Sequence, residues 1–136
     1  MKSKGSRFER DLISELWKEG FAAVRVAGSG ISTYPCPDIV AGNGEVFIAI
    51  EVKMRKSLPL YLSDDEIRQL KDFSIFFGAK PYIALKLPRK KWKFFTIEML
   101  EKTEKNYKID DMVYAMGLQL EEVTGRVVQK RLGEKV

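Results

Sequence analysis

Asp38, Glu51 and Lys53 are the residues of this chain whose types and spacing suit chemistry on a phosphate. On a strand, residues 51 and 53 project to one face while Val52 projects to the other. The preceding Phe47-Ile48-Ala49-Ile50 run is apolar on both faces, as a buried strand requires, so Glu51 and Lys53 emerge at its end. Upstream, Asn43-Gly44 lies between two such runs, a strong hairpin signal. If Asn43-Gly44 is the turn, Gly42 pairs with Glu45, and counting outward sets Asp38 opposite Ala49. Glu51 is then the same-face diagonal neighbour of Asp38, roughly 7–8 Å away by backbone. Two carboxylates so placed can share one divalent cation. Such a cation polarises a phosphodiester and lowers the pKa of a bound water, while a neighbouring lysine positions the water or offsets developing charge. Asp38 and Glu51 are the expected ligands, with Lys53 beside the attacked phosphate.

Glu9 joins this group through an anomaly. Residues 7–19 have helical periodicity, with Phe8, Leu12, Ile13, Leu16 and Trp17 on one side of the wheel. Glu9 falls in the middle of that apolar stripe. A carboxylate there must be paired, bind a cation or face a cleft. If the helix packs beside the hairpin, Glu9 completes an acidic cluster with Asp38 and Glu51. Plainer accounts exist for each piece. Glu-x-Lys at a strand end is commonly a solvated pair, and Glu9 could simply pair with Arg25.

The elements that must position these residues follow in order. After the helix at 7–19, strands are expected at 21–26, 38–41 and 45–54, separated by a loop over 27–37 rich in Gly, Ser, Thr and Pro. Residues 55–62 read as irregular. Ser63 is a good N-cap with Glu66 at the capping-box position, and Ile67, Leu70, Phe73 and Phe77 then recur at helical spacing up to Gly78. Strands follow at 81–87 and 92–97 as a second hairpin. A short helix or turn is expected at 98–104, an exposed strand at 107–109 and a helix over 118–132 interrupted near Gly125. This order implies an α/β or α+β fold, a mixed β-sheet with helices packed against it. No repeat or linker divides the 136 residues, whose length suits one domain, 1–136.

Composition removes competing chemistries. There is no histidine, hence no Ser-His-Asp triad and no imidazole base. One cysteine, Cys36, excludes an internal disulfide and a four-cysteine zinc site. What is left is carboxylates, lysines, hydroxyls and a hard metal, Mg²⁺ with Mn²⁺ as substitute. The N-terminus leads into no apolar core of a signal peptide, and no run is long enough to span a bilayer, so a soluble, cytoplasmic protein free of the membrane is expected. The net charge of +5 permits a polyanion partner.

The assembled pattern of Glu9, Pro37-Asp38 and Glu51-Val52-Lys53 resembles the restriction-endonuclease-like, PD-(D/E)xK superfamily of metal-dependent nucleases, and more closely the archaeal Holliday junction resolvases. Further resemblance lies in Lys4-Gly5-Ser6 followed by Glu9-Arg10, and in Gly20-Phe21-Ala22-Ala23-Val24-Arg25 leading through Ala27-Gly28-Ser29 to Pro37-Asp38. It continues in 70–78 with Asp72-Phe73 and in the strand pair 82–87 and 92–95, covering roughly residues 4 to 100. The resemblance implies a restriction-endonuclease-like fold and a homodimeric endonuclease that binds four-way DNA junctions by shape and nicks them symmetrically. By position, Glu9, Asp38 and Glu51 match that family's metal site and Lys53 its essential lysine. Arg10 and Arg25 match basic residues near DNA, and Ser29 a loop serine required for efficient cleavage. Relatives can carry Gln where this chain places Glu66, which leaves Glu66 open as a cap, a group supporting the site, or neither.

Lys4, Arg7, Arg10 and Arg25 gather positive charge near the proposed site, with Arg55 and Lys56 just past its strand. Phosphate contacts of this kind position DNA without reading bases. On the second helix Phe73, Phe76 and Phe77, together with Ile75, exceed one buried stripe and suit a dimer interface. The competing readings are a general repair or restriction-type nuclease of the same fold and a non-catalytic nucleic-acid-binding module.

Overall fold

The structure is a computed structural model that describes residues 4–28 and 33–125, with side chains from Arg7 onward. The first helix, α1 (Lys4–Lys18), forms where apolar residues recur at helical spacing. Leu12 and Leu16 are fully buried, and Phe8 and Ile13 pack against the same core. Trp17, expected in that stripe, is instead mostly exposed, with its indole N–H donating to the Ala23 carbonyl at 3.0 Å. Gly20 closes the helix end with a φ of 86°.

The chain continues through β1 (Ala22–Arg25), β2 (Ile39–Gly42), β3 (Phe47–Met54), β4 (Leu60–Ser63), α2 (Asp64–Phe77), β5 (Lys80–Lys86) and β6 (Lys93–Phe95). A 3-10 turn at Ile97–Met99 leads to β7 (Glu101–Lys102), β8 (Asn106–Ile109), α3 (Asp111–Ala115) and α4 (Leu120–Val123). Five strands form one sheet in the order β1-β2-β3-β5-β6, with β3 and β5 parallel and the other pairs antiparallel. The remaining three form a smaller antiparallel sheet, β4-β8-β7. The expected mixed sheet flanked by helices is therefore present.

Strand alternation divides the core in two. Ile48, Ile50, Tyr82 and Ala84 turn toward α1 and α4, while Ala49, Ile83 and Leu85 turn toward α2 and the small sheet. Both faces of β3 are thus covered, which explains why its sequence is continuously apolar until Glu51. The α2 cap is as expected: Ser63 Oγ accepts from the Glu66 amide at 3.0 Å, and the Glu66 carboxylate accepts from the Ser63 amide at 2.9 Å. Gly78, at φ 80°, closes the other end.

Four expectations change. The stretch at 55–62 contains β4, whose Leu60 and Leu62 point into the second core while Tyr61 points out. Its alternation is too short to stand out behind a charged, proline-containing segment. The strand expected to be exposed at 107–109 is β8, the middle strand of the small sheet, and its Ile109 is fully buried. Asp110 caps the unexpected α3 by accepting from the Val113 amide at 2.9 Å. The helix expected over 118–132 is only α4 within the described residues, closing before Gly125 at φ 82°. Residues 126–136 lie outside the description.

Candidate active site

The hairpin between β2 and β3 turns one residue later than the Asn-Gly signal suggests. Asn43 N–H donates to the Val46 carbonyl at 3.1 Å, which leaves Gly44-Glu45 as the turn. Gly44 takes a φ of 95°, natural for glycine at the first central position. The Asn43 side chain accepts from the amides of Glu45 and Val46 at 2.9 and 2.7 Å, so asparagine braces the turn instead of sitting at its centre. Shifting the turn by one residue shifts the strand register by two. Val40, not Asp38, lies opposite Ala49. A shift of two keeps every side chain on its face. Asp38 therefore moves from a diagonal place to the level of Glu51.

The ladder changes at that level. The Asp38 N–H donates to the Ile50 carbonyl at 3.0 Å, and its carboxylate takes the Val52 amide at 2.8 Å. The Asp38 side chain thus replaces a backbone partner and is pinned against β3. Its carboxylate lies beside the Glu51 carboxyl, close enough to act on its ionisation. Burial first, and then the adjacent Asp38 charge, push the Glu51 carboxyl up to about 8. Near neutrality the Glu51 carboxyl therefore keeps its proton.

Lys53 projects from the same face of β3. Its Nζ is 3.9 Å from Glu51 Oε2 and 2.6 Å from Glu66 Oε1. Glu66 therefore does two jobs, closing the α2 capping box and holding the lysine. Burial opposes its ionisation, but the Lys53 hydrogen bond and the Ser63 amide outweigh this and hold its carboxyl below the usual range. The local sequence signal for Glu66 is the capping box, and the family resemblance leaves its role at the site open. Its contact with Lys53 joins a helix to a strand thirteen residues earlier, and no local pattern encodes that.

Glu9 stands at the edge of the group. Arg25 Nε donates to Glu9 Oε1 at 3.0 Å. Burial and the nearby Asp38 charge raise the Glu9 carboxyl against the pull of Arg25. Among the described residues no group of three or more Asp, Glu, Cys or His side chains is set to hold a metal ion. The structure brings Asp38, Glu51 and Lys53 together, with Glu9 beside Asp38 but turned to Arg25. Arg7 and Arg10 lie on the exposed side of α1, and Arg55 and Lys56 are exposed just beyond β3. Ser29 and the Lys4 side chain lie outside the described residues.

The sequence model of the archaeal Holliday junction resolvase (Hjc) family matches residues 1–132. This chain belongs to that family. Among Hjc relatives, the crossover junction endodeoxyribonuclease Hjc of Archaeoglobus fulgidus is 68% identical over 136 residues, covering 100% of both chains. The Hjc of Methanocaldococcus jannaschii is 38% identical over 135 residues, covering 98% of this chain and 96% of its own. A solved structure of Archaeoglobus fulgidus Hjc, described as a Holliday junction resolvase from an archaeal hyperthermophile, superposes with a TM-score of 0.86. It shares 64% identity, over 93% of this chain and 100% of that one. The Hjc architecture is the restriction-endonuclease-like one expected from the resemblance. No helix among the described residues is long and apolar enough to cross a membrane.

Proposed function

We propose that this chain is a structure-specific endodeoxyribonuclease that resolves four-way DNA junctions by paired hydrolysis near the branch point. It acts as a cytoplasmic homodimer, with residues 1–136 forming one nuclease domain. The observation that carries the reading is the Asp38–Glu51 carboxyl pair with Lys53 beside it, in a chain of the Hjc family.

The donor set fits a hard dication. Two adjacent, half-buried carboxyls offer four oxygens, and Mg²⁺, or Mn²⁺ in its place, would displace the proton that Glu51 keeps. Bound there, Mg²⁺ would supply a Lewis acid for the phosphate and a more acidic water. The chain's own groups do the rest. Asp38 is held in place by the Val52 amide. Lys53, held by Glu66, keeps a positive charge beside Glu51 where charge grows on the attacked phosphate. Glu9 flanks the pair as its third acidic member and fixes Arg25 for a DNA phosphate. Ser29, nine residues before Asp38, assists cleavage, and Lys4, Arg7, Arg10, Arg55 and Lys56 contact the backbone.

The α2 surface supports the dimer. Phe76 is 92% exposed, Ile75 76% and Phe77 53%, a patch that a lone subunit leaves in water. Phe73 is partly buried against the second core and stacks on Phe77 with ring centroids 5.0 Å apart, so it backs the patch. Phe76→Arg is expected to shift sedimentation from dimer to monomer without lowering monomer stability. Paired nicking should fall with it, and an unchanged dimer would remove α2 from the interface.

The test of function is cleavage of an end-labelled four-way junction and its matched linear duplex, with and without Mg²⁺. Symmetric, metal-dependent nicks near the crossover, absent from duplex, are expected. Equal cutting of both substrates would make the protein a general nuclease. Tight binding without cutting would make it a non-catalytic module.

A further inference from the structure

A pocket of about 310 Å³ opens between α1 and the ends of β3 and β5, on the sheet face opposite Lys53. Its floor is apolar, made by Phe8, Met54 and Leu87. Its rim is cationic, made by Arg55, Lys56, Lys86 and Arg89, and no acidic residue among the described ones lines it. Two of these cations are held in place. Lys86 Nζ donates to the Leu87 carbonyl at 3.1 Å and also to the Lys90 carbonyl, and it stands 5.5 Å from the Phe8 ring centroid. Arg55 Nη1 donates to the Met54 carbonyl at 2.8 Å. The Arg55 N–H donates to the Lys86 carbonyl at 3.2 Å, tying the two strand ends together.

We propose that this pocket receives one unstacked nucleotide of the DNA, its base against the Phe8–Met54–Leu87 floor and its phosphate at the cationic rim. The inference rests on the junction-nuclease reading and adds to it a source of selectivity. The volume sits at the lower end of the roughly 300–1,000 Å³ typical of ligand pockets, room for one nucleotide and not for stacked base pairs. An apolar, aromatic floor with cations around it suits a base and its phosphate together. The cationic rim favours an anionic ligand over a neutral one. Met54 directly follows Lys53, so DNA crossing the end of β3 passes from the site to the pocket. Unstacking a base costs least where stacking is already broken, as at a branch point. The pocket would thus favour branched over linear DNA with no contact to a base edge.

The experiment uses the full-length protein without metal, so that nothing is cut. The probes are labelled d(T)4, an abasic tetranucleotide with the same phosphates, and an intact four-way junction. Methyl NMR of methionine-labelled protein should show the Met54 methyl shifting with d(T)4 and with the junction. The abasic strand should bind at least tenfold more weakly than d(T)4. Met54→Trp, which fills the floor, and Arg89→Ala, on an exposed turn that leaves folding intact, should each weaken d(T)4 at least tenfold. An unshifted Met54 methyl, or equal affinity for d(T)4 and the abasic strand, overturns the nucleotide seat even if junction cutting is normal. Methyl shifts and base-dependent binding in a protein that fails to cut junctions would instead keep the seat and reject the junction reading.

Discussion

Glu51→Gln is expected to slow junction cleavage by about 10³-fold while changing junction affinity by no more than about twofold. The same substitution should stabilise the metal-free protein. The Glu51 carboxyl is pushed up to about 8 in the folded state from an ordinary value of 4.5. The folded protein therefore holds a proton that the unfolded chain releases. With the folded pKa raised, stability is full below about 4.5, declines as pH rises toward 8 and then levels off. The loss is on the order of 3–5 kcal/mol at the alkaline end, taking about 1.4 kcal/mol for each pH unit crossed. Glutamine stays neutral throughout. In EDTA the variant should melt several degrees above wild type at about pH 9, with the gap closing toward the acid end. Mg²⁺ should raise the wild-type melting temperature and leave the variant almost unmoved. Paired calorimetry and cleavage assays check both halves. Wild-type cutting by the variant would remove Glu51 from the reaction, and equal alkaline melting would mean that the fold does not hold Glu51 protonated.

Lys53→Met should lower cleavage about 10²–10³-fold, because it keeps most of the aliphatic stem and removes only the charge near the phosphate. The loss should appear in the single-turnover rate and not in junction affinity. Glu66 gives this prediction its second half. Glu66→Ala removes both the lysine's 2.6 Å partner and the capping-box carboxylate. Its expected cost is about 10–100-fold in rate and about 1 kcal/mol in stability. Glu66→Gln still reaches the Ser63 amide, so it should restore the stability and part of the rate. Restored stability with no restored rate would show that the negative charge on Glu66 sets the lysine. Full activity in Glu66→Ala would mean that Lys53 needs no partner.

Much of this site was legible along the chain because it depends on short-range periodicities. Glu51 and Lys53 share a face of β3 for the same reason that Val52 does not. The α2 cap was legible from Ser63 and Glu66 because a capping box spans only three residues. Elements whose signals are short were missed. β4 has two inward residues, and α3 is five residues long. β8 reads as an exposed strand because its pairing with β4, which buries it, joins a segment more than forty residues earlier. Trp17 was assigned inward by its wheel position, yet the core beneath α1 is filled without it.

The sequence by itself determined which side chains share a face, because strand and helix periods are properties of the local backbone. It placed Asp38 and Glu51 on one side of a hairpin even with the turn misassigned, since a register shift of two preserves the face. Tertiary structure alone decided their distances and partners. It set Asp38 level with Glu51, turned Glu9 to Arg25, clamped Lys53 with Glu66 and formed the cationic pocket where α1 crosses the ends of two parallel strands. Each of those contacts joins residues from separate elements, and their energies depend on burial, which only packing of the whole domain creates.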